Sequence, residues 1–83
     1  MQYLVMPIAF ILINCEMGNE LQVIPSLKKY CNEISGTYGI YDFIGKLKYV
    51  NMDEFEESLK KIRKIRFVTH TITIHTIPEQ SKI

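Results

Sequence analysis

The stretch IAFILINC, residues 8–15, decides the fold. Side chains of an extended strand point alternately to opposite faces. Here both sets are apolar, with Ile8, Phe10 and Leu12 on one face and Ala9, Ile11 and Ile13 on the other. A strand with one face in water would alternate between apolar and polar residues instead. We therefore predict a central strand over residues 8–15 that is covered on both sides.

The first helix is predicted after the turn at Gly18 and Asn19, where Asn19 can act as the N-cap. Leu21, Ile24, Leu27, Lys28 and Cys31 follow a rough, mostly apolar stripe at helical spacing. Pro25 conflicts with a helix that begins at Asn19, because the proline ring removes a backbone donor and crowds the preceding turn. The helix is therefore expected to begin late or to bend at Pro25.

The second helix has the clearest pattern. Asn51 suits an N-cap, and an apolar seam follows it at Met52, Phe55, Leu59 and Ile62. Acidic residues occupy the first turns and basic residues the end, so we expect the i,i+4 ion pairs Glu56–Lys60 and Glu57–Lys61. Because the acidic start offsets most of the charge of the basic run KKIRKIR, residues 60–66, we interpret that run as a solvated helix face.

Three further strands are predicted at residues 33–38, 41–48 and 67–77. The order strand, helix, strand, strand, helix, strand is typical of an α+β, ferredoxin-like βαββαβ fold of the dimeric α+β barrel type. This fold has a four-stranded antiparallel sheet with two helices on one face. Its first and third strands are central, which agrees with a first strand that is apolar on both sides.

The other face of the predicted sheet has no helix to cover it. In the fourth strand, alternation puts Val68, His70, Ile72 and Ile74 on one face and Thr69, Thr71, Thr73 and His75 on the other. The simplest cover for a second apolar face in so short a chain is another copy, sheet against sheet. We therefore predict a dimer that assembles further into a tetramer, octamer or ring.

Composition and charge narrow the functional classes. The chain has 83 residues, which corresponds to a single domain spanning residues 1–83. The net charge of +1 provides no general attraction to nucleic acid or to anionic membranes. The sequence has no Cys/His cluster at metal-ligand spacing, no nucleophile motif and no phosphate-binding loop. We predict no cofactor, no metal, no catalytic residues and no enzyme activity.

Two cysteines, Cys15 and Cys31, are too few for a disulfide framework and do not form a CxxC pair. We interpret them as reduced, partly buried thiols of a cytoplasmic protein, with an oxidised Cys15–Cys31 bridge as the alternative. Residues 1–15 carry no charge, but no Lys or Arg precedes the apolar run and Pro7 interrupts it, which argues against a signal peptide. The run is also too short to span a bilayer.

Several motifs stand at informative places: AFILIN in the first strand followed by Gly18, Gly39-Ile40-Tyr41-Asp42 where the third strand opens, DEF at residues 53–55, and VTHTIT at residues 68–73. Together they resemble the C-terminal ligand-sensing domain of the Lrp/AsnC transcription regulators, also called RAM, for regulation of amino-acid metabolism. Family members carry a helix-turn-helix domain before this region, whereas about eight residues precede the first strand here. The resemblance therefore implies a stand-alone RAM protein with no direct contact to nucleic acid.

The resemblance also implies an effector site, at Gly39, Ile40, Tyr41, Asp42, Thr71 and Thr73, with the threonines contributed by a neighbouring subunit. Exposed amides at the Gly39 turn suit a carboxylate, Asp42 suits an ammonium group, and Tyr41 can form a pocket wall. An amino acid offers both charges. The alternative is structural, because Gly and Asp are common turn residues and Thr is a favoured strand residue.

The implied function is that of a small-molecule sensor, with an amino acid as the expected effector, bound between subunits. One alternative is an interaction subunit that pairs with full-length Lrp-like regulators and tunes their assembly. The less favoured alternative is a small dimeric-barrel enzyme in which His70 or His75 carries a proton. The two histidines are five residues apart in a strand, so they point to opposite faces and cannot share a metal ion.

Overall fold

The computed structural model describes residues 7–77. The elements in chain order are β1 (Ile8–Cys15), α1 (Glu20–Tyr30), β2 (Glu33–Gly36), β3 (Phe43–Lys48), α2 (Met52–Arg63) and β4 (Val68–His75). This is the predicted βαββαβ order. The predicted domain, residues 1–83, extends beyond the described residues at both ends.

The four strands form one antiparallel sheet in the order β2-β3-β1-β4, so β1 and β3 are central, as predicted. Ile13 of β1 lies between Phe43 of β3 and Thr71 of β4 in the register. β2, β3 and β4 are each shorter than the sequence suggested. β2 ends at Gly36 and β3 begins at Phe43, which leaves residues 37–42 as a loop instead of strand.

Both helices pack on one face of the sheet, where the core lies. Ala9, Ile11 and Ile13 on this face of β1 are fully buried, and they meet Val23 and Leu27 of α1 and Phe55 and Ile62 of α2. The opposite face of β1 holds Ile8, Phe10 and Leu12, which remain partly exposed. The two-sided hydrophobicity of residues 8–15 therefore corresponds to a covered helix side and an uncovered side, which we call the open face.

Helix α1 faces the core with only part of the predicted stripe, together with Val23, which the stripe did not include. It begins at Glu20 and continues through Pro25, so it does not start late. Val23 and Leu27 are buried, whereas Leu21 of the predicted stripe is 84% exposed. Pro25 lies on the exposed side, where the carbonyl it leaves without a helical donor can bond to water. Asn19 precedes the helix, but its side chain makes no capping hydrogen bond.

Helix α2 follows its predicted pattern more closely. The Asn51 side chain accepts a hydrogen bond from the Glu54 backbone amide at 2.8 Å, as an N-cap should. Phe55 and Ile62 of the seam are buried, but Met52 is 49% exposed. The expected Glu56–Lys60 and Glu57–Lys61 ion pairs do not form. Within residues 7–77, the charged groups that approach within 4.0 Å are those of Lys46 and Glu33.

Strand β4 contains a bulge that the alternating pattern did not reveal. Cys15 pairs with Val68 while Asn14 pairs with His70, so Thr69 is an extra residue between them. The insertion turns Val68 to the helix side, where it packs against the core. The prediction that Val68 shares a face with His70 was therefore wrong, because the period of two is broken at Thr69. From His70 onward the predicted alternation holds.

Candidate functional site

The loop at residues 37–42 carries four of the six predicted effector-binding residues. Ile40 is 85% exposed, and Tyr41 is half-buried. Gly39 has φ +107°, a backbone conformation that L side chains rarely adopt, which explains a glycine at this position. The Thr37 amide donates to the Asp42 carbonyl at 3.0 Å, and the Thr37 hydroxyl donates to the Tyr41 carbonyl. These two bonds close the loop on itself.

Asp42 fastens this loop to the end of β1. Its Oδ2 accepts a hydrogen bond from the Cys15 amide at 2.9 Å. Its own amide lies 3.0 Å from the Ile13 carbonyl and 3.1 Å from Asn14 Oδ1, and it donates to both. The carboxylate is thus held in a fixed position, and a carboxylate can accept further hydrogen bonds beyond the one from Cys15. Burial, followed by the negative charge of Asp42, raises the pKa of the Cys15 thiol.

A pocket of about 410 Å³ opens beside Asp42. It is lined by Glu20, Gly36, Thr37, Tyr38, Asp42 and Phe43. Of the predicted residues, Asp42 alone lines it, while Gly39, Ile40 and Tyr41 shape the adjoining loop. Sequence reasoning missed Tyr38 and Glu20. Tyr38 stands directly before Gly39 and could have been noticed, whereas nothing in the sequence relates Glu20 to this loop.

Thr71 and Thr73 lie in β4, which is separated by β1 from the β3 side of the sheet where Asp42 lies. Thr71 lines a separate pocket of about 320 Å³, and its hydroxyl accepts a hydrogen bond from Arg63 Nε at 3.2 Å. The Thr73 hydroxyl is buried and has no hydrogen-bond partner among residues 7–77. Because β1 separates β3 from β4, Asp42 and Thr71 of one chain are about 10 Å apart, two strand spacings. A single chain does not bring the predicted site residues together.

The two histidines point to opposite sides of the sheet, as predicted. His70 pairs with Asn14 on the open-face side, and His75 pairs with Ala9 on the helix side. A hydrogen bond of 3.0 Å joins His75 Nδ1 and the Tyr49 hydroxyl, and the His75 ring packs edge-on against Phe55. His75 therefore has a structural role. Within the described part of the chain, no three His, Cys, Asp or Glu side chains are arranged to hold a metal ion.

Both cysteines are free thiols, and both are buried. Burial raises the pKa of the Cys31 thiol to about 11. Cys31 also packs closely on β3, since a Cβ placed on Gly45 would lie 2.9 Å from its Sγ. The thiols thus behave as small core residues. Among residues 7–77, no helix has the length and hydrophobicity that crossing a membrane requires.

Comparison with known proteins identifies the fold and the family. No model of a protein family matches the chain, and neither does any curated protein sequence. Solved structures do match. FFRP-DM1 is 31% identical, and the match covers 87% of this chain and 100% of that one, with a TM-score of 0.80.

Two less similar regulators share the fold. E. coli AsnC is 21% identical, with a TM-score of 0.74, and the match covers 86% of this chain and 50% of that one. The transcriptional regulator NMB0573 of Neisseria meningitidis, solved as an L-Met complex, is 15% identical, with a TM-score of 0.77 and coverage of 98% and 62%. The identity to FFRP-DM1 and the shared βαββαβ fold show that the chain belongs to the Lrp/AsnC family, as a RAM-like domain.

Proposed function

We propose that this chain is a regulatory domain that binds a small effector, an amino acid, at a site completed where copies of the chain meet. The observation that carries the proposal is the Asp42 carboxylate, fixed by the Cys15 amide at the edge of an open pocket. A carboxylate that is held in place loses little entropy when it binds an ammonium group. The L-Met complex of the Neisseria regulator supports an amino acid as the effector class.

The separation of the two pockets supports a site between copies. Asp42 and Thr71 of one chain are on opposite sides of β1, so a small effector that contacts one cannot contact the other in the same chain. A neighbouring copy can supply the missing side. This arrangement would make effector binding depend on assembly, and linkage requires that assembly then depends on effector.

The open face supports dimerisation. Its apolar side chains come from three neighbouring strands: Ile8, Phe10, Leu12, Ile44, Ile72 and Ile74. Ile72 is 40% exposed and Ile74 is 48% exposed, although they flank Leu12 and Phe10 in a continuous patch. Contiguous apolar surface of this kind marks an interaction site. A second copy placed sheet against sheet would cover the patch, and the same face would serve a full-length Lrp-like regulator as partner.

Membership in a family of transcription regulators supports a regulatory role without catalysis, in the cytoplasm, where such regulators act. The hydrogen bond of His75 to Tyr49 and its ring contact with Phe55 support a structural role for this histidine over that of a proton carrier. The interaction-subunit hypothesis rests on the same open face and differs in one outcome. It expects the chain to copurify from its host with a larger regulator, with no need for an effector.

The test is a thermal-shift screen against the twenty amino acids, followed by calorimetry on those that stabilise the protein. Asp42→Asn keeps an oxygen that can accept from Cys15 but removes the charge, so we expect at least a tenfold loss of affinity, about 1.5 kcal/mol for a charge-assisted hydrogen bond. Asp53→Asn is the matched control, since Asp53 is an exposed aspartate in the first turn of α2. Equal affinity of Asp42→Asn and wild type would contradict the proposed site. A screen without any hit would contradict the amino-acid proposal and favour the interaction subunit.

A further inference from the structure

The pocket at the start of β4 has the features of a second binding subsite. It holds about 320 Å³ and is lined by Arg63, Val68, Thr69, His70 and Thr71. Arg63 ends helix α2, and the other four residues are consecutive in β4. Of these lining residues, the sequence predicted an effector-binding role for Thr71 and none for Arg63. The residues around Thr71 carry three structural irregularities that coincide at this pocket.

The first two irregularities are in the backbone. Phe67, immediately before β4, has φ +77°, and this conformation is strained for a bulky residue. The Glu16 amide donates to the Phe67 carbonyl at 2.8 Å, and the Arg66 guanidinium packs 4.8 Å from the centre of the Phe67 ring. The second irregularity is the bulge at Thr69. Strained residues and bulges concentrate near binding sites, where they redirect side chains.

The third irregularity is that the Arg63 side chain has no acidic partner among residues 7–77. Its Nε donates to the Thr71 hydroxyl at 3.2 Å, which orients the guanidinium plane, and the described part of the chain provides no acceptor for the N–H groups of its two terminal nitrogens. Within residues 7–77, no carboxylate lies within 4.0 Å of this guanidinium. Arg63 is thus a cation beside a pocket, positioned by a neutral partner and not neutralised by any acid among residues 7–77. The pair of terminal nitrogens matches the geometry of a carboxylate.

We infer that this pocket is a carboxylate-binding subsite, with Arg63 as the residue that binds the carboxylate and Thr71 as the residue that positions Arg63. Assigning the carboxylate to the amino-acid effector rests on the proposed function. Under that assignment, Asp42 of one copy binds the ammonium group and Arg63 of a neighbouring copy binds the carboxylate. The ammonium and carboxylate of an amino acid are attached to a single carbon, so they cannot reach across β1 to both residues of one chain.

The carboxylate subsite can be tested without knowing the effector, by titrating sodium propionate into ¹⁵N-labelled protein at constant ionic strength and recording amide and arginine Nε–H resonances. We expect saturable shifts at the amides of His70 and Thr71 and at the Arg63 Nε–H. Propionamide, which has the same shape without the charge, should leave them in place. Arg63→Gln should weaken the apparent affinity for propionate at least about tenfold, and Arg63→Lys should weaken it less, because it keeps the charge but loses the paired donors.

Arg66→Gln is the matched control, since Arg66 packs on Phe67 and does not line the pocket. It should leave the propionate titration unchanged. Absent shifts in the wild type, equal shifts with propionamide, or unchanged affinity in Arg63→Gln would each overturn the inference. Asp42→Asn should retain propionate binding. A protein that binds propionate at Arg63 but no amino acid would therefore refute the proposed function alone, and amino-acid binding without propionate shifts would refute the Arg63 subsite alone.

Discussion

The open face gives the sharpest quantitative prediction. We expect the double substitution Ile72→Thr and Ile74→Thr to dissociate the proposed dimer while preserving the fold of each chain. Threonine keeps the β-branch and the strand preference of isoleucine but exchanges apolar carbon for a hydroxyl. Ile72 is 40% and Ile74 48% exposed in the single chain, so the double substitution costs that chain about 1.6 kcal/mol of its own stability, less than the proposed interface loses.

The magnitude follows from the exposed surface. Each Ile→Thr change removes two carbon groups, and burying a carbon group stabilises by about 0.8 kcal/mol. About half of the surface of Ile72 and Ile74 is still available for burial in a dimer, which leaves about 0.8 kcal/mol per side chain. A two-fold interface buries four such side chains, so the loss is about 3 kcal/mol, and the dimer Kd should rise roughly a hundredfold.

The assay is sedimentation velocity over a dilution series, in which a single chain has a mass of 9.7 kDa. Leu21→Gln is the control, because Leu21 is 84% exposed and lies on helix α1, on the opposite side of the sheet from the open face. It should leave the dimer Kd unchanged. A well-folded wild-type chain that sediments as a monomer at micromolar concentration would refute the reasoning, as would a double variant that dimerises as tightly as the wild type.

Three further predictions concern stability. Gly45→Ala should lower the free energy of unfolding in urea by about 1–3 kcal/mol, because the new Cβ would lie 2.9 Å from Cys31 Sγ. Gly36→Ala, where nothing lies within 4 Å, is the control, and equal losses would contradict this argument. Asn51→Ala should cost about 1 kcal/mol by removing the cap on the Glu54 amide, and an unchanged thermal midpoint by circular dichroism would contradict it. The folded-state pKa of Cys31, about 11, exceeds the ordinary 9.0, so its contribution to stability is complete below pH 9 and is lost as the pH rises toward 11. The wild type should lose about 1–2 kcal/mol more than Cys31→Ala over this range, after allowance for partial solvent screening, and parallel pH profiles would contradict the assignment.

The fold was predictable because its signals are local and repeated. The two apolar faces of residues 8–15 required a central strand, and Asn51 with the seam at Phe55 and Ile62 located the second helix. The buried side of helix α1 was harder to predict, because its sequence contains two overlapping apolar stripes. Spacing placed Leu21 in one stripe with Leu27, whereas packing on the sheet buries Val23 beside Leu27 and leaves Leu21 exposed. Short amphipathic helices take their orientation from tertiary contacts, which local spacing does not contain.

The candidate site was predictable only in part, because its contacts join residues that are far apart in the sequence. The hydrogen bond from Cys15 to Asp42 spans 27 residues. Its geometry depends on how β1 and β3 align, which the motif at residues 39–42 does not encode. Arg63 reaches Thr71 over a bulge that interrupts the alternation of β4. A bulge adds one residue without a compositional signal here, so Val68 was placed on the wrong face.

The irregular features of the chain are not spread evenly over the sheet. At the end where β1 finishes lie the positive φ angles of Gly18, Gly39 and Phe67, the β4 bulge and both candidate pockets. At the opposite end the chain is regular, with the Asn51 cap and the packed rings of Tyr49, Phe55 and His75. Strained backbone persists only where the surrounding structure holds it. One end of the sheet therefore stabilises the domain, and this stability allows the other end to hold the half-buried Asp42 and the exposed Arg63, which have opposite charges, in fixed positions. Recognition by a second copy or an effector is expected at that end.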